Sequence, residues 1–291
     1  MDANDVSMND LTERVVEHLL VEIVKLLHNY IRDVQFTPAE WAECWKFLTK
    51  VGQISTDSRH EFILLADVLG ISALIEFQSY PSIPGAIESS PLGPFHVDSS
   101  PSFSNGDTMS SESTPGEPVL TRGRVLRFPD TPLAGATIDT WHSDGHGVYD
   151  VEYDDGGSGF ICLGKFVTDA DGKFEYACIK PVSYSIPLDG PVGDLLKKLN
   201  MNGNRPAHMH FILTAPGFKK LVTALYFGDS DYLDSDPVWG VKQSLIVSYT
   251  WCQNLDLVEK YGIIEIPRPG EGDKNSLGFW LLEHDFVLLE E

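Results

Sequence analysis

Two histidines stand two positions apart in the segment RPAHMHF, residues 205–211. The residues around them are mostly apolar, as in a β-strand, and successive side chains of a strand point to opposite faces. His208 and His210 therefore share one face, while Met209 and Phe211 point toward a core. Neighbouring imidazoles can hold one metal ion. Paired histidines also occur on strands without a metal, so other residues must decide between a metal site and an incidental pair.

Two tyrosines lie in segments that suit a metal ligand. Tyr149 follows two glycines in DGHGVYD, and Tyr184 stands between Pro181 and Pro187, which restrict the backbone on both sides. A free phenol has a pKa of about 10. It becomes a phenolate near neutral pH only beside a strong Lewis acid such as ferric iron. Taken singly, each tyrosine is better explained as a buried ring with a hydrogen-bonded hydroxyl.

The elements that must position these residues fall into two parts. The first eighty residues have helical periodicity, with a capping box at Thr37 and Glu40, another start at Ser58, and Gly70 at a helix end. Residues 98–118 are small and polar, which favours a loop. From residue 119 the apolar period becomes two. We therefore predict a mainly β protein: an antiparallel β-sandwich catalytic core with an N-terminal α-helical segment.

Seven segments of this second part read as strands, and one short segment before the histidines reads as a helical turn. The strand segments are LTRGRVLRF, ATIDTWHS, GKFEYACI, HMHFILTA, KLVTALYF, QSLIVSYT and GFWLLEHDFVLL, and the helical one is DGPVGDLLKKLNM.

The composition excludes some classes of function. The chain has 291 residues with 43 acidic and 21 basic side chains, a formal net charge of -22, so its surface repels nucleic acid and anionic membranes. No apolar run reaches the length of a membrane span. The four cysteines form no C-x-x-C pair, which disfavours zinc-thiolate sites and indicates free, mostly buried thiols in a reducing cytoplasm.

The order Tyr149, Tyr184 and RPAHMHF, with DGPVG before the histidines, resembles the intradiol ring-cleavage dioxygenases. The similarity runs across about residues 10–290 and is carried by SSPLGPFH, PLAGATIDTWHSDGHGVYD, GKFEYACIKPVSYSIPLDGPVG and RPAHMHFILTAPGF. The resemblance implies a mononuclear non-haem Fe(III) held by Tyr149, Tyr184, His208 and His210. It also implies ring cleavage between two adjacent hydroxyl carbons, with both atoms of O₂ inserted.

The resemblance assigns two catalytic roles. Arg205 matches an arginine close to the substrate, where it would stabilise developing negative charge. Tyr184 matches the tyrosinate expected to leave the metal and accept a substrate proton. The other histidines have no place in the motif. His18, His28, His60 and His284 are expected on the surface or in packing, and His142 and His146 are expected to be exposed, although either could support a ligand.

Three stretches look like those of hydroxyquinol (1,2,4-trihydroxybenzene) 1,2-dioxygenases: EFILLADVLGISALIEF, ESSPLGPFHV and YLDSDPVWGVKQSLIV. The expected reaction gives 3-hydroxy-cis,cis-muconate, or maleylacetate. Asp67 could accept a hydrogen bond from the third hydroxyl, or it could face solvent. The expected walls of the ring pocket are Leu64, Pro91, Leu92 and Phe95. Ala224 departs from the family, which usually has Gln or His there.

Other functions stay open at this point. A catechol 1,2-dioxygenase giving cis,cis-muconate would use the same scaffold. A β-sandwich binding module without metal would carry the H-x-H pair by chance. A cupin-type enzyme would want a Glu soon after the histidines, and HMHFILTAPGF offers none.

The expected organisation has three parts. Residues 1–85 form a helical domain for dimerisation that also covers the substrate, residues 86–118 a linker, and residues 119–291 the iron-binding sandwich. Relatives dimerise through the helical segment, sometimes with a lipid trapped between helices, so we expect a homodimer with a possible lipid at its interface.

Overall fold

The computed structural model describes residues 20–56, 59–153, 161–270 and 276–291. The chain divides into two compact units, Met1–Ile54 and Ser55–Glu291. The described helices of the first unit are α1 (Leu20–Val34) and α2 (Pro38–Ile54). Those of the second are α3 (Glu61–Val68), α4 (Ile71–Ser79), α5 (Pro191–Leu199) and α6 (Leu255–Tyr261).

The predicted helix signals are confirmed where the structure describes them. At the start of α2, the Thr37 amide donates to Glu40 (2.8 Å), and the Glu40 amide donates to the Thr37 hydroxyl (3.3 Å). Gly70 lies between α3 and α4 with φ +71°, a conformation that glycine adopts without strain. Ser58, His18 and the predicted helical residues 10–19 lie outside the described residues. Helix α6 was not predicted; its start is capped by Asn254, whose side chain accepts two backbone N–H groups.

The described strands all belong to the second unit. They are β1 (Pro118–Arg127), β2 (Thr131–Pro132), β3 (Thr137–Trp141), β4 (Leu163–Val167), β5 (Lys173–Ile179), β6 (Tyr184–Ser185), β7 (Asn204–Arg205), β8 (His208–Thr214), β9 (Leu221–Phe227), β10 (Ile246–Val247), β11 (Thr250–Cys252), β12 (Ile266–Pro267), β13 (Leu277–Glu283) and β14 (Phe286–Leu288). Among the described residues, one sheet has seven strands around β1 and β13. Another has five in the order β10-β9-β8-β3-β4, and β6 pairs with β7 alone.

The two larger sheets are mixed, which corrects the expectation of purely antiparallel pairing. Strand β1 pairs in parallel with both β13 and β14, and β10 pairs in parallel with β9. A parallel pair needs a long connection, and the chain from β1 to β13 is long enough to provide one. The predicted single strand QSLIVSYT is also wrong, because a 3₁₀ turn and two short strands in different sheets occupy it.

One buried apolar cluster takes side chains from both larger sheets. Phe174 of β5 and Phe286 of β14 come from one sheet, and Met209 and Phe211 of β8 come from the other. The predicted alternation along β8 is therefore confirmed for its core-facing side. The histidines of β8 are left on the opposite face, away from this core.

The connection before β1 is a loop, as predicted. Residues 98–117 contain isolated bridges but no helix or strand, and the loop is held to the sheets by backbone hydrogen bonds, such as Phe103 N–H to Lys165 O at 2.8 Å. The four cysteines are free thiols, of which Cys162 and Cys178 are buried. Within the described segments, no single helix is long and apolar enough to cross a bilayer. The bent pair α3 and α4 meets that test by length and composition alone.

Candidate metal centre

Strand β8 brings the two histidine side chains together. Their Nε2 atoms lie 3.0 Å apart, and both rings are buried. The sheet register places Trp141 of β3 and Ala224 of β9 on either side of His210, and Tyr226 beside His208. The ring of Trp141 stacks on that of His210 with centroids 5.0 Å apart and planes 6° from parallel. The strand pairing thus flanks His210 on both sides and His208 on the β9 side.

The small ribbon of β6 and β7 positions Tyr184. Its register puts Tyr184 directly opposite Arg205, two residues that are far apart in the sequence. The Nη1 of Arg205 lies 3.4 Å from the Tyr184 hydroxyl and 3.1 Å from His208 Nε2. Helix α5 fills half of the connection between the two strands. This short helix therefore returns the chain so that the tyrosine and the arginine meet.

Tyr149 comes from the loop after β3, and that loop is held by carboxylates. Asp144 is buried, and its Oδ1 accepts the backbone N–H groups of His146 (2.8 Å) and Val148 (3.0 Å). Glu152 accepts the N–H of Tyr149 itself at 2.9 Å. Phe95 stacks on the Tyr149 ring with centroids 4.5 Å apart. Tyr149 is therefore buried, with its backbone held by Glu152 and its ring held by stacking on Phe95.

The four predicted ligands converge. The Tyr149 hydroxyl lies 3.3 Å from His208 Nε2 and 3.4 Å from the Tyr184 hydroxyl. With the contact between the two Nε2 atoms, these distances connect two nitrogens and two oxygens into one cluster. Among the described residues, no group of three or more His, Cys, Asp or Glu side chains could hold a metal. A metal in this cluster would therefore need the tyrosines.

Burial sets the protonation of the cluster. It lowers the pKa values of His208 and His210 well below their usual range, with the Arg205 charge acting in the same direction. Burial, followed by the proximity of Tyr184, raises the pKa of Tyr149 well above its usual value. Neutral imidazoles are ready to bind a cation. A buried phenol beside them would need a strong Lewis acid to lose its proton.

Hydrogen bonding also orients the histidines. His208 Nδ1 lies 2.7 Å from the carbonyl oxygen of Pro206, which can only accept, so Nδ1 carries the proton and the Nε2 lone pair faces the cluster. His210 Nδ1 has no hydrogen-bond partner in the described part of the chain. Its neighbour across the strand pair is Ala224, which has no polar group to offer. Stacking on Trp141 orients His210 instead.

A cavity of about 80 Å³ opens beside the cluster. Tyr184 and Arg205 line it, together with three of the predicted pocket residues, Leu64, Pro91 and Phe95. Leu92 lies elsewhere and packs behind the site against the buried cluster of Trp141, Tyr149, Leu163 and Ile212.

Asp67 also lines this cavity, and its side chain does not face solvent. The residue is 6% exposed. Burial raises the pKa of its carboxyl, and Asp236 adds to that, whereas a hydrogen bond from Ser72 and the charge of Arg205 oppose it. Two buried acids, Glu61 and Asp67, therefore line the cavity on the side of α3, and one buried guanidinium lines it on the side of β7.

The sequence did not point to Asp236 or Tyr226. Asp236 accepts from Arg205 Nε at 3.1 Å and from Nη2 at 3.4 Å, and both side chains are buried. Tyr226 accepts from Arg205 Nη2 at 3.2 Å. Burial disfavours the arginine charge, but Asp236, Tyr184 and Tyr226 outweigh it, and the pKa of Arg205 lies well above its ordinary value. A buried arginine requires an acid partner, so an arginine predicted beside the substrate already implies a buried Asp or Glu near it.

The remaining described histidines are mostly where they were expected. His28, His60 and His146 are exposed, and His284 packs against Phe286. The expectation that His142 is exposed is wrong. It is fully buried, its ring donates to the Ser143 carbonyl at 2.8 Å, and burial lowers its pKa to about 4. Its glycine-rich surroundings suggested a surface loop, but the residue directly follows β3 and lies in the interior.

Comparison with known proteins identifies the family. The family described as "Dioxygenase" matches residues 92–263, and that described as "Catechol dioxygenase N terminus" matches residues 12–86. An intradiol ring-cleavage dioxygenase of Aspergillus niger is 36% identical, over 99% of this chain and 86% of that protein. The chain belongs to the intradiol ring-cleavage dioxygenases.

Two further relatives of this dioxygenase align over nearly its whole length. A hydroxyquinol 1,2-dioxygenase of a Rhizobium strain is 36% identical over 97% of this chain and 91% of that protein. The solved structure of a hydroxyquinol 1,2-dioxygenase from Pseudomonas putida superimposes with a TM-score of 0.80 at 35% identity, covering 95% of this chain and 92% of that one. The family uses non-haem iron. Two neutral imidazoles and two phenols in one cluster are a donor set that fits ferric iron.

Proposed function

We propose that this dioxygenase cleaves hydroxyquinol with O₂ between its adjacent hydroxyl carbons. The product is 3-hydroxy-cis,cis-muconate, or maleylacetate, and each carboxylate formed by the cleavage gains one oxygen atom. The observation that carries the choice of substrate is the buried Asp67 carboxyl, which lines the same cavity as Tyr184 and Arg205. A ring held at the cluster through two oxygens would have its third hydroxyl available to this acid.

The residues proposed to hold iron are Tyr149, Tyr184, His208 and His210. Their converging oxygens and nitrogens and the fixed tautomer of His208 support this set. The chemistry that ferric iron supplies in such a site is Lewis-acid binding of a deprotonated diol and its activation toward O₂. The family uses the substrate's own electrons, so no external reductant is required.

Two residues of the chain are proposed to handle charge and protons. Arg205 Nη1 lies 3.4 Å from the Tyr184 hydroxyl, close enough to stabilise negative charge on a substrate bound beside it. Asp236 and Tyr226 hold the guanidinium in place, so little reorganisation is needed when that charge develops. Tyr184 lines the cavity, whereas Tyr149 lies beneath Phe95. The substrate-facing phenol is therefore the one proposed to accept a substrate proton at Oη.

The residues that line the cavity are proposed to recognise the substrate by its shape and by one hydrogen bond. Leu64, Pro91 and Phe95 would pack on the ring and exclude water, and Leu92 would support them from behind. Asp67 would accept a hydrogen bond from the third hydroxyl. A site built to bind a hydroxyl rejects the analogue that lacks it, because the buried polar group is then left without a partner.

The alternative is catechol as the preferred substrate. A catechol 1,2-dioxygenase of Candida albicans is 33% identical over 82% of this chain and 79% of that protein. Identity is higher, 40%, to a 6-chlorohydroxyquinol 1,2-dioxygenase of Cupriavidus pinatubonensis, although over a similar share of the chain. The polar wall at Asp67 favours the triol. Cleavage of catechol in preference to hydroxyquinol would overturn our choice of substrate.

The proposal is tested on the purified protein loaded with iron. Phenolate-to-iron charge transfer should give a broad visible band that changes on anaerobic addition of hydroxyquinol, and in air one O₂ should be consumed per triol. A colourless protein with a full complement of iron would rule out the tyrosine ligands. Absence of oxygen uptake with both the triol and catechol would overturn the activity.

The wider organisation is also a proposal. We propose that residues 1–85 form a helical domain, residues 86–118 a linker and residues 119–291 the catalytic part, a β-sandwich supported by the core shared between the two sheets. Helix α1 exposes Leu26, Leu27 and Tyr30, which supports a homodimer formed by the helical part, with room for a lipid. Light scattering should give twice the chain mass, and lipid extraction should detect a bound lipid. The free thiols suit a reducing cytoplasm.

A further inference from the structure

A short loop after β9 contacts both sides of the cavity. Within five residues, Asp236 binds Arg205, Val238 lines the cavity, and the Trp239 indole N–H donates to the carbonyl of Val68 at 3.1 Å. Val68 is the last residue of α3 and directly follows Asp67. One loop thus links the guanidinium on one side of the cavity with the helix that carries the acid on the other.

The Arg205 side of this loop is fixed by several contacts. The Asp236 carboxylate accepts the N–H of Gly240 at 3.0 Å as well as the guanidinium, which closes the loop on itself. Gly240 lies so close to the site that an added Cβ would stand 2.3 Å from the Tyr226 hydroxyl. The loop therefore moves little relative to Arg205.

The contact of this loop with α3 is made by Trp239. The last carbonyls of a helix lack partners within the helix, and the indole N–H supplies one for Val68. The edge of the indole also packs on Gly70, where an added Cβ would stand 3.4 Å from Cδ1. Trp239 is 59% exposed and has φ +58°, an uncommon conformation for a residue other than glycine. A large, exposed side chain in this conformation is explained by its contact with α3 better than by core packing.

We propose that Trp239 is a positioning residue for substrate selection, which fixes the C-terminal end of α3 and so holds Asp67 at a set distance from Arg205. This inference rests on the proposed function, in which Asp67 binds the third hydroxyl of the substrate. It assigns no contact between Trp239 and the substrate. Loss of the tether should weaken recognition of the triol and leave the cluster of tyrosines and histidines unchanged.

The test compares Trp239→Phe, which keeps a ring but removes the N–H, with Tyr232→Phe as a control in the same loop. For Trp239→Phe we expect the ratio of kcat/KM for hydroxyquinol to that for catechol to fall roughly two- to tenfold, the range of one hydrogen bond. The lower ratio should come from a higher KM for the triol, with kcat little changed. The visible band should stay as in the wild type. Tyr232→Phe should leave the ratio as in the wild type.

A double-mutant cycle decides whether Trp239 acts through Asp67. In the Asp67→Ala background, Trp239→Phe should no longer change the ratio. An equal fall in both backgrounds, or no fall in either, would overturn the proposal.

Amide hydrogen exchange supplies a readout that needs no turnover. Trp239→Phe should speed exchange at residues 64–70 and leave strand β8 unchanged. Unchanged exchange in α3 would overturn the tether even if the activity is as proposed. A wild type that does not prefer the triol would instead overturn the choice of substrate, while faster exchange in α3 would still support the tether.

Discussion

Strand β8 and helix α3 face the same centre but are held in different ways. The strand is hydrogen-bonded to β3 and β9 along both edges, and its residues from His208 to Leu213 are buried. The helix has eight residues, and Phe62 and Ile63 of its outer face are exposed. Its described polar contacts with other segments include the Glu61 carboxylate accepting the Val192 N–H at 3.0 Å and the indole of Trp239.

This difference separates two tasks within one site. Ligands to a metal must keep their geometry closely, and the centre of a sheet provides that. In our proposal, recognition of the third hydroxyl depends on Asp67 of a short helix, whose position depends on individual side-chain contacts. Substitutions on β8 should therefore abolish the centre, whereas substitutions on or near α3 should change the choice of substrate.

The largest effect is expected on β8. His210→Ala or His208→Ala should reduce iron content to background, because each removes one of four proposed ligands and the binding energy that depends on it. Metal analysis of the purified proteins provides the measurement. His284→Ala is the matched control, since His284 packs against Phe286 away from the cluster. Equal iron in all three variants would contradict the ligand set.

The next effect concerns the buried ion pair of Arg205 and Asp236 between the two regions. Asp236→Ala leaves a buried guanidinium without its acid, which typically costs about 3–5 kcal/mol of unfolding free energy. Glu283→Ala breaks the exposed pair with Arg122 and should cost less than about 1 kcal/mol. Urea unfolding of both variants measures the difference. Similar losses in the two would show that Asp236 is not the partner that stabilises Arg205.

A smaller effect is expected at α3. Asp67→Ala should lower the preference for hydroxyquinol over catechol by roughly tenfold to a hundredfold, the range for a hydrogen bond to a charged group. Iron content and the visible band should stay as in the wild type. Steady-state kinetics with both substrates measure the ratio. An unchanged ratio would mean that the preference arises from the more electron-rich ring of the triol, or from another residue.

The same comparison explains which parts of the site the sequence could predict. The alternation of Met209 and Phe211 with the histidines is a local pattern, and the structure confirms its direction. The capping box at Thr37 and Glu40 is local as well. By contrast, the pairing of Tyr184 with Arg205 depends on how α5 returns the chain, which residue spacing does not encode.

The burial of Asp67 could not be read from its own segment. The helix EFILLADV is apolar on most sides, so its pattern does not say which side is covered. The contacts of Asp236 and Trp239 are even harder to predict, because their partners lie on β7 and α3, far away in the sequence. The parallel pairing of β1 with β13 and β14 was missed for the same reason, since strand direction within a sheet depends on the path of the whole chain.

The smallest expected effect is the pH dependence of stability that Asp67 contributes. Burial raises the pKa of its carboxyl in the folded state, with Asp236 acting in the same direction and Ser72 and Arg205 opposing. The pKa of an Asp carboxyl in the unfolded state is about 3.9. Between that pH and the raised folded pKa the folded state binds more protons, so the contribution of Asp67 to stability is lost as pH rises through this window. Below it the contribution is fully present.

Asp67→Asn removes this titration and keeps a side chain of similar size. We expect the variant to gain unfolding free energy relative to the wild type as pH rises through the window, and the gap to become constant above the folded pKa. Urea unfolding of both proteins in a series of buffers measures this gap. If the wild type instead gains stability over Asp67→Asn with rising pH, then Arg205 outweighs burial at Asp67. The charge of Arg205 would then stabilise the ionised Asp67 in the folded state by more than burial destabilises it.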